Sequence, residues 1–282
     1  MLARLFVALQ FVLPQHLITA LIWRVARNRH IATKNFLIRH FVSLYEVDIE
    51  EVKLSVPDDF ASFNDFFIRE LEDGARAIDA SNNIVSPVDG TVSIADVIQK
   101  DSIIQAKGID YSLDDLLATD LEQAKAYVNG SFATIYLAPY NYHRVHAPFD
   151  GELIAARYVP GDLFSVNPVT VARVDGLFRR NERLVMHFKT AFGPAVVIFV
   201  GALNVGSIST PWSGEIRPRK NGVVDVLDLS KATRDVSKGD LLGWFNMGST
   251  VILLLPPGAC DWDGDMQPGT TLRLGEAIGQ LL

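Results

Sequence analysis

Apolar residues recur at intervals of three and four positions along the first 45 residues of the chain. This spacing places them on one face of an α-helix, so it predicts a series of amphipathic helices. Basic residues fall between the apolar ones, and no acidic residue occurs before Glu46. We therefore assign residues 1–50 to a basic helical segment and residues 51–282 to a separate domain. The apolar positions are Leu2, residues 5–9, 11–13, 17–18, 21–23 and 36–38, and Phe41 and Val42.

The pattern changes to short β-branched runs after about Asn83. Asp-Gly, Pro-Gly and Lys-Gly-Asp sequences separate these runs, which is typical of strands joined by tight turns. Between the two regions, residues 62–71 predict a short helix with Ser62 as its N-cap and Gly74 as a stop. The chain as a whole predicts an α+β protein with a predominantly β core that follows amphipathic N-terminal helices.

One phrase occurs three times in the β region, at residues 86–92, 147–153 and 210–216. Each copy contains a proline, an apolar residue, a tight turn and an outgoing strand. The repeat resembles the half-motif of the flattened barrels that carry biotin or lipoate, so we predict a core of repeated biotinyl/lipoyl-like hairpin units. A carrier needs a lysine at an exposed hairpin tip, and none stands there convincingly. The repeat therefore bears on architecture rather than on function.

The net charge of −7 is unevenly distributed along the chain. Residues 1–45 contain six basic residues and no acid, whereas the remaining residues carry 20 basic against 33 acidic side chains. Basic, aromatic-bearing amphipathic helices lie in the interface of anionic membranes. We expect this of residues 1–50; the alternative is a helical layer packed on the protein's own core.

The N-terminal segment does not match a transmembrane helix or a secretory signal. The charge-free stretch of residues 5–20 is interrupted by Pro14 and by polar residues, and it falls short of the ~20 predominantly apolar residues that a span needs. No small-residue cleavage site follows it. The single cysteine, Cys260, cannot form an internal disulfide, which favours a reducing compartment. It lies in a loop-like stretch without a nearby base, so we do not expect it to be a nucleophile.

A Gly-Ser-Thr sequence at residues 248–250 lies between two strand-like apolar runs. Because Gly248 has no side chain, its carbonyl is open to the hydroxyl of Ser249. An ordinary turn is the simpler explanation of an isolated Gly-Ser-Thr. The sequence becomes informative through the residues that accompany it elsewhere in the chain.

An aspartate and two histidines could serve Ser249 as partners. Asp89 lies in the first repeat, but Asp150 occupies the same turn position in the second, so a turn role explains both. His143 and His146 would share a face only in a short helical turn, and metal ligation lacks an HExxH or Cys/His cluster to complete a site. An acid, a histidine and a serine are the ingredients of a catalytic triad. Spacing alone does not establish one.

Several phrases together are similar to the motifs of a known family. Residues 247–250, Met-Gly-Ser-Thr, resemble the Leu-Gly-Ser-Thr processing motif of the phosphatidylserine decarboxylases, with Met247 in place of a leucine of similar volume. Residues 142–148 resemble the family's histidine motif, and residues 87–90 its aspartate motif. Further matches, in order, are residues 63–69, Lys107-Gly108 with residues 111–113, residues 160–167, residues 178–183 and residues 200–202. The likeness covers nearly the whole chain.

The resemblance implies a self-processing proenzyme. Asp89, His146 and Ser249 match the family's processing triad, in which Ser249 attacks the Gly248 carbonyl and an ester replaces the peptide bond. Elimination and hydrolysis would then release a β chain, 1–248, and an α chain, 249–282, capped by a pyruvoyl group derived from Ser249. This covalent cofactor would form a Schiff base with the substrate amine, with neither a metal nor pyridoxal phosphate. His143 is the candidate proton donor, because a histidine has a pKa near neutral pH.

The same resemblance implies the substrate, the partners and the location. The substrate would be phosphatidylserine and the product phosphatidylethanolamine, at the cytoplasmic face of the inner membrane. The α and β chains would form a heterodimer and pair further into a dimer of heterodimers, and no nucleic acid would be bound. Two alternatives stay open: a membrane-associated carrier or scaffold of the biotinyl/lipoyl type, and a serine lipid hydrolase. For the hydrolase, no Gly-x-Ser-x-Gly elbow surrounds Ser249.

Overall fold

A large antiparallel sheet forms the centre of the protein, and helices precede it along the chain. The computed structural model describes residues 2–99, 102–106, 109–119, 121–203 and 207–282. Met1 of the N-terminal segment and the matched Lys107-Gly108 phrase lie outside the described residues.

The N-terminal helices occur where the apolar periodicity predicts them. No helix in the described part of the chain is long and apolar enough to cross a membrane by itself. The stretches 3–12 and 15–26 reach that length and composition only together, and the chain bends by 93° between them. The helices are α1 (Leu2–Val12), α2 (Gln15–Ala26), α3 (Ile31–Tyr45), α4 (Phe63–Phe67), α5 (Leu113–Leu117), α6 (Leu121–Ala124), α7 (Pro168–Val171) and α8 (Leu177–Arg180), with a 3-10 turn at Lys125–Tyr127.

The strands follow the β-branched runs of the sequence. They are β1 (Asn83–Val85), β2 (Gly90–Val97), β3 (Ser102–Ala106), β4 (Ile109–Ser112), β5 (Ser131–Leu137), β6 (Arg144–His146), β7 (Gly151–Val159), β8 (Arg183–Thr190), β9 (Gly193–Val200), β10 (Ile208–Thr210), β11 (Gly214–Ile216), β12 (Asp225–Val226), β13 (Asp235–Val236), β14 (Leu241–Phe245), β15 (Ser249–Leu255), β16 (Cys260–Trp262), β17 (Thr271–Leu272) and β18 (Ala277–Leu281).

These strands pair antiparallel into one large and several smaller sheets. The large sheet has the order β12-β7-β8-β9-β15-β5-β2-β17, with β13 also paired to β7. The smaller sheets have the orders β11-β10-β14-β6, β1-β18-β16 and β3-β4. The predicted α+β class with a predominantly β core is confirmed, and the structure shows that its sheets are mostly antiparallel.

Strand β15 is the most enclosed element of the large sheet. All seven of its residues are buried, which agrees with an apolar run that lacks polar alternation. It pairs with β5 from Ser249↔Leu137 to Leu255↔Ser131 and with β9 from Thr250↔Val200 to Leu254↔Val196. The end of the strand that begins with Ser249 is therefore held between two neighbours.

A cluster of phenylalanines attaches helix α3 to the β domain through α4. The ring of Phe41 on α3 packs against those of Phe63, Phe66 and Phe67 on α4.

Ser62 caps α4, because its side chain accepts a hydrogen bond from the backbone N–H of Asp65. The predicted helix is longer than the observed one: α4 ends at Phe67. The chain then runs extended, and Lys53 N donates to the Glu70 carbonyl, so pairing with this upstream segment replaces the helix.

The three repeated phrases share a local form but not a common pairing. Strands β2, β7 and β11 begin at the glycine of each phrase. However, β2 pairs with β5 and β17, β7 pairs with β8, β12 and β13, and β11 pairs with the strand just before its own turn, β10. The phrase therefore encodes a turn and an outgoing strand. The biotinyl/lipoyl-like hairpin repeat is not confirmed by these pairings.

The phenylalanine cluster gives a stability prediction. Phe66 is fully buried, with the rings of Phe60 and Phe41 at centroid distances of 5.5 and 6.3 Å. We expect Phe66→Ala to lower the free energy of unfolding by about 3–5 kcal/mol, since it leaves a cavity. Phe36→Ala is the matched control, because Phe36 is 67% exposed, and its effect should stay within about 0.5 kcal/mol. Urea denaturation measures both, and equal losses would contradict the packing described.

Candidate active site

Ser249 is a buried serine whose hydroxyl has no hydrogen-bond partner. It is the first residue of β15, is 1% exposed, and pairs with Leu137 of β5. Its Oγ atom makes no hydrogen bond within the described residues. Burying an unsatisfied hydroxyl costs roughly 1–3 kcal/mol. Its burial is therefore a cost to stability, as it is for the hydroxyls of Thr134 and Thr250, which also have no partner within the described residues.

The bend that precedes Ser249 is fixed at Asn246. Its side-chain amide donates to the hydroxyls of Ser207 (2.7 Å) and Ser209 (3.0 Å), and its carbonyl accepts from Asn64 Nδ2 (3.0 Å). A Cβ placed on Gly248 would meet no atom within 4 Å. The Gly248–Ser249 peptide bond thus lies between an anchored bend and a paired strand, with free space beside the glycine.

Asp89 is held by an arginine and a backbone amide. It lies in the turn before β2 and is buried. It accepts hydrogen bonds from Arg76 Nε (2.9 Å) and Nη2 (2.6 Å) and from Leu274 N (2.8 Å). Burial alone would lower the pKa of Arg76, but the hydrogen bonds and charges of Asp89 and Glu51 raise it above its usual range. Asp89 is therefore paired with a permanent cation.

His146 is held in one tautomer by a backbone carbonyl. Its Nδ1 lies 2.7 Å from the Gly239 carbonyl oxygen, so this nitrogen carries the proton. Its Nε2 then has the lone pair, 3.3 Å from the Tyr142 hydroxyl. Burial, with a smaller contribution from Arg144, lowers the pKa of His146, and the Gly239 carbonyl and Asp89 oppose this. At neutral pH the ring is a neutral base.

The structure brings Asp89 and His146 into one neighbourhood without a hydrogen bond between them. His146 N donates to the carbonyl of Pro87 (2.9 Å), two residues before Asp89. Leu137 pairs with Ser249 of β15, and the chain runs from Leu137 to His146. This segment therefore connects the neighbourhood to β15. Among the described contacts, Asp89 hydrogen-bonds to Arg76 and Leu274, and His146 hydrogen-bonds to Gly239 and Tyr142. Ser249 Oγ hydrogen-bonds to neither Asp89 nor His146.

His143 is neutral and enclosed. Its ring is stacked on Phe67, with centroids 4.2 Å apart, and Nε2 lies 3.3 Å from the Pro139 carbonyl. Its Nδ1 has no partner within the described residues. Burial, and then the charge of Arg69, lowers the pKa of His143 to about 3. The premise that His143 titrates near neutral pH is therefore wrong, because no solvent or acid compensates the charged ring.

Some of the groups that hold this site have no signal in the sequence. Arg76 lies 13 residues from Asp89 and belongs to no matched phrase, and the Gly239 carbonyl lies in a Lys-Gly-Asp turn 93 residues from His146. Tyr142 belongs to the histidine phrase, but only its contact with His146 reveals a role. Asn246 precedes the Gly-Ser-Thr sequence by two residues, and this proximity was the signal that could have identified it.

Two other features of the sequence can now be described. Cys260 is buried, and burial, followed by Asp261 and Asp263, raises the pKa of its thiol to about 12. This agrees with the prediction that it is not a nucleophile. In the described part of the chain, no three His, Cys, Asp or Glu side chains are grouped so that they could hold a metal ion.

Comparison with known proteins gives one consistent family. A family model described as phosphatidylserine decarboxylase matches residues 63–280, and a second, described as PSD, matches residues 5–46. The chain is 46% identical over 278 residues to a "phosphatidylserine decarboxylase proenzyme" of Saccharophagus degradans, covering 98% of this chain and 97% of the relative. Proteins of the same name from Psychrobacter arcticus (47% over 277 residues, 97% of each) and Hahella chejuensis (42% over 280 residues, 99% and 94%) are also similar.

The buried His143 predicts a loss of stability in acid. A histidine whose pKa is lower in the folded than in the unfolded protein contributes stability above the unfolded value, near 6.5, and that contribution is lost as the pH falls toward 3. From pH 7 to pH 5, this linkage amounts to roughly 2 kcal/mol. We expect His143→Phe, which keeps a ring beside Phe67, to lose about that much less stability than the wild type over this interval. Urea unfolding at both pH values measures the difference, and identical pH dependences would contradict the assignment.

Proposed function

The chain belongs to the phosphatidylserine decarboxylase family, and we propose that Ser249 is the residue it converts into its own cofactor. The protein decarboxylates phosphatidylserine to phosphatidylethanolamine and CO2, and it is made as a self-processing proenzyme. The observation that carries the assignment of Ser249 is its buried, unpartnered hydroxyl directly after Gly248. The family match identifies the reaction, and Ser249 is the residue on which we propose that it depends.

In the proposed first step, Ser249 Oγ attacks the carbonyl carbon of Gly248. His146 Nε2 takes the hydroxyl proton and returns it to the departing amide nitrogen, so an ester replaces the peptide bond. The Gly239 carbonyl fixes the proton on Nδ1 and leaves Nε2 free for this task. Asp89 contributes negative charge that favours the imidazolium. We propose that His146 Nε2 comes within hydrogen-bond distance of Ser249 Oγ for this step.

In the proposed second step, Ser249 loses its α-proton and the Gly248 carboxylate leaves. Hydrolysis of the resulting group releases ammonia and leaves a pyruvoyl at residue 249, with chains 1–248 and 249–282. The site fits this group, because the hydroxyl that is lost has no partner to leave behind and Gly248 has free space. A pyruvoyl supplies an electrophilic carbonyl that holds the substrate amine and accepts electrons as CO2 departs.

His143 stays our candidate proton donor, although its ring is neutral in the described state. In the described state its Nε2 faces the Pro139 carbonyl and its Nδ1 is unpartnered. Nδ1 is therefore positioned to accept a proton, and His143 must take one up before it can donate. The enclosing Phe67 keeps water away from the ring during this exchange.

We propose that helices α1 and α2 lie on an anionic membrane surface. Their polar side chains face the protein: Gln10 Oε1 accepts from Ser165 N and Gln15 Oε1 from Leu163 N, each at 2.8 Å. Many of their large apolar side chains face outward, and those at least half exposed include Leu5, Phe11, Val12, Leu17, Leu21 and Val25. Buried glutamines and exposed leucines are the reverse of the arrangement found on a helix that faces water. A membrane interface covers such a face.

The charges of the segment support the same orientation. Arg27 forms an ion pair with Glu215 (2.8 Å), but Arg24 is exposed and makes no ion pair within the described residues. Arg24 follows Leu17 and Leu21 at helical spacing, so it shares their face. Basic groups beside exposed apolar ones suit acidic lipid headgroups. We place the protein as a peripheral protein at the cytoplasmic face of the cell membrane.

The position of β15 supports a tight association of the processed chains. After cleavage, β15 would belong to the α chain, while its neighbours β5 and β9 would belong to the β chain. The ladder would hold the two chains as a heterodimer, which we propose pairs further into a dimer of heterodimers. The repeated biotinyl/lipoyl-like hairpin unit stays a prediction about the architecture of the core.

Self-processing is tested by intact mass after purification. We expect two fragments, 1–248 and 249–282, with the smaller one lighter by one ammonia than the serine-initiated peptide. Ser249→Ala should remain one chain, because alanine has no oxygen to attack or to leave. Ser131→Ala is the matched control, a buried serine at the far end of the same ladder, and it should process normally. A wild-type protein that stays uncut would overturn the proposal.

Membrane binding is tested by substitution of exposed apolar residues. We expect Val12→Asp with Leu17→Asp to weaken cosedimentation with vesicles of anionic phospholipid at least about tenfold, because two apolar side chains leave the interface. The control is Val223→Asp with Val226→Asp, since these side chains are 77% and 73% exposed outside the N-terminal helices. Equal binding by both double variants would count against the orientation described.

A further inference from the structure

Glu182 is a buried carboxyl group with unused hydrogen-bonding capacity. It has no solvent exposure, and its Oε2 accepts a hydrogen bond from the Tyr158 hydroxyl at 2.5 Å. Its Oε1 has no partner in the described part of the chain. A half-satisfied buried acid is costly to a fold and is often retained for chemistry. No step of the proposed processing reaction uses it.

Gly201 provides the space in which this carboxyl group lies. Gly201 N donates to the Glu182 carbonyl at 2.9 Å, so the two residues are adjacent across β8 and β9. A Cβ on Gly201 would come within 2.6 Å of both Cγ and Oε1 of Glu182. The carboxyl group therefore lies beside the Cα of Gly201, where any other residue would place its side chain.

The strand register brings Gly201 next to Ser249. Thr250 pairs with Val200, which is the last pair of the β15–β9 ladder, and Ser249 and Gly201 are the next residues on the two chains. The Gly201 N–H is turned toward Glu182, so Gly201 lies between Glu182 on the β8 side and Ser249 on the β15 side. Neighbouring strands lie about 4.8 Å apart, so the carboxyl group beside Gly201 is one strand away from the Ser249 backbone.

The elimination step needs a base at this location. His146 is assigned to the hydroxyl proton of Ser249, and nothing yet removes the proton from its Cα. We propose that the Glu182 carboxylate removes the α-proton of Ser249 from the ester; this rests on the proposed self-processing function. The Cα–H electron pair becomes the Cα=Cβ double bond, the Cβ–O bond breaks, and the Gly248 carboxylate leaves with its electrons. The proton ends on Glu182.

The surroundings of Glu182 suit a group that takes up a proton and releases it. Burial raises the pKa of Glu182 to about 7, while the hydrogen bond from Tyr158 and the charge of Arg219 oppose the increase. Tyr158 of β7 and Arg219 are the titratable and charged groups that face it. Near neutral pH both forms of the carboxyl group are populated, as a general base requires.

Glu182→Gln tests the proposal, because glutamine keeps the size of the side chain and can accept the Tyr158 hydrogen bond. We expect Ser249 to form the ester but elimination to slow by about 100-fold or more. Hydroxylamine should then cleave the accumulated ester. The fragment 249–282 released in this way would begin with an intact serine, which its mass distinguishes from the pyruvoyl form.

The controls separate this proposal from the proposed function. Glu152→Gln, on the partly exposed Glu152 of β7, should process like the wild type, whereas His146→Ala should stay uncut and resist hydroxylamine. Gly201→Ala displaces the carboxyl without removing it and should trap the same ester. Pyruvoyl formation at the wild-type rate in Glu182→Gln would overturn the proposal, as would an uncut, hydroxylamine-resistant chain in both variants. Failure of the wild type to process would instead overturn the proposed function.

Discussion

The antiparallel ladder that holds β15 between β5 and β9 is the constraint on which the rest of the structure depends. It fixes the backbone of Ser249 on one side of the Gly248–Ser249 bond, and the hydrogen bonds of Asn246 fix the other side. A serine held at both ends has little freedom to lose when its hydroxyl attacks its own backbone. The same ladder would keep the two chains together after the bond is broken.

The groups that we propose for the site lie on different sides of this ladder. His146 lies on β6 and Asp89 in the turn before β2, while Glu182 lies just before β8 and beside Gly201. The loop that accepts the glutamines of α1 and α2 also reaches Glu182, since Glu182 N donates to the Asp162 carbonyl at 3.0 Å. Helices α1 and α2 and the buried acid are thus connected through one short segment.

Much of this architecture is predictable from the sequence, and the exceptions have a common cause. Periodicity predicts α1–α3, and Ser62 predicts the start of α4, because both are local effects. The early end of α4 and the pairing of the repeated phrases depend on distant strands, so local patterns mislead there. Asp89, His146 and Ser249 are named as a processing triad by their resemblance to family motifs, and that assignment stays a prediction. The Gly239 contact, the low pKa of His143 and the position of Glu182 arise from packing between segments far apart in the chain, and the Arg76 contact from a turn that returns the chain to Asp89 after 13 residues.

The central claim is that residue 249 ends as a ketone rather than as a serine, and borohydride reduction tests it most directly. Reduction of the purified protein should add two hydrogens to the fragment 249–282 and leave the mass of the fragment 1–248 unchanged. Ser249→Ala should gain no mass under the same treatment. A wild-type protein whose small fragment is cleaved but not reducible would contradict the account, because cleavage would then have left no carbonyl at residue 249.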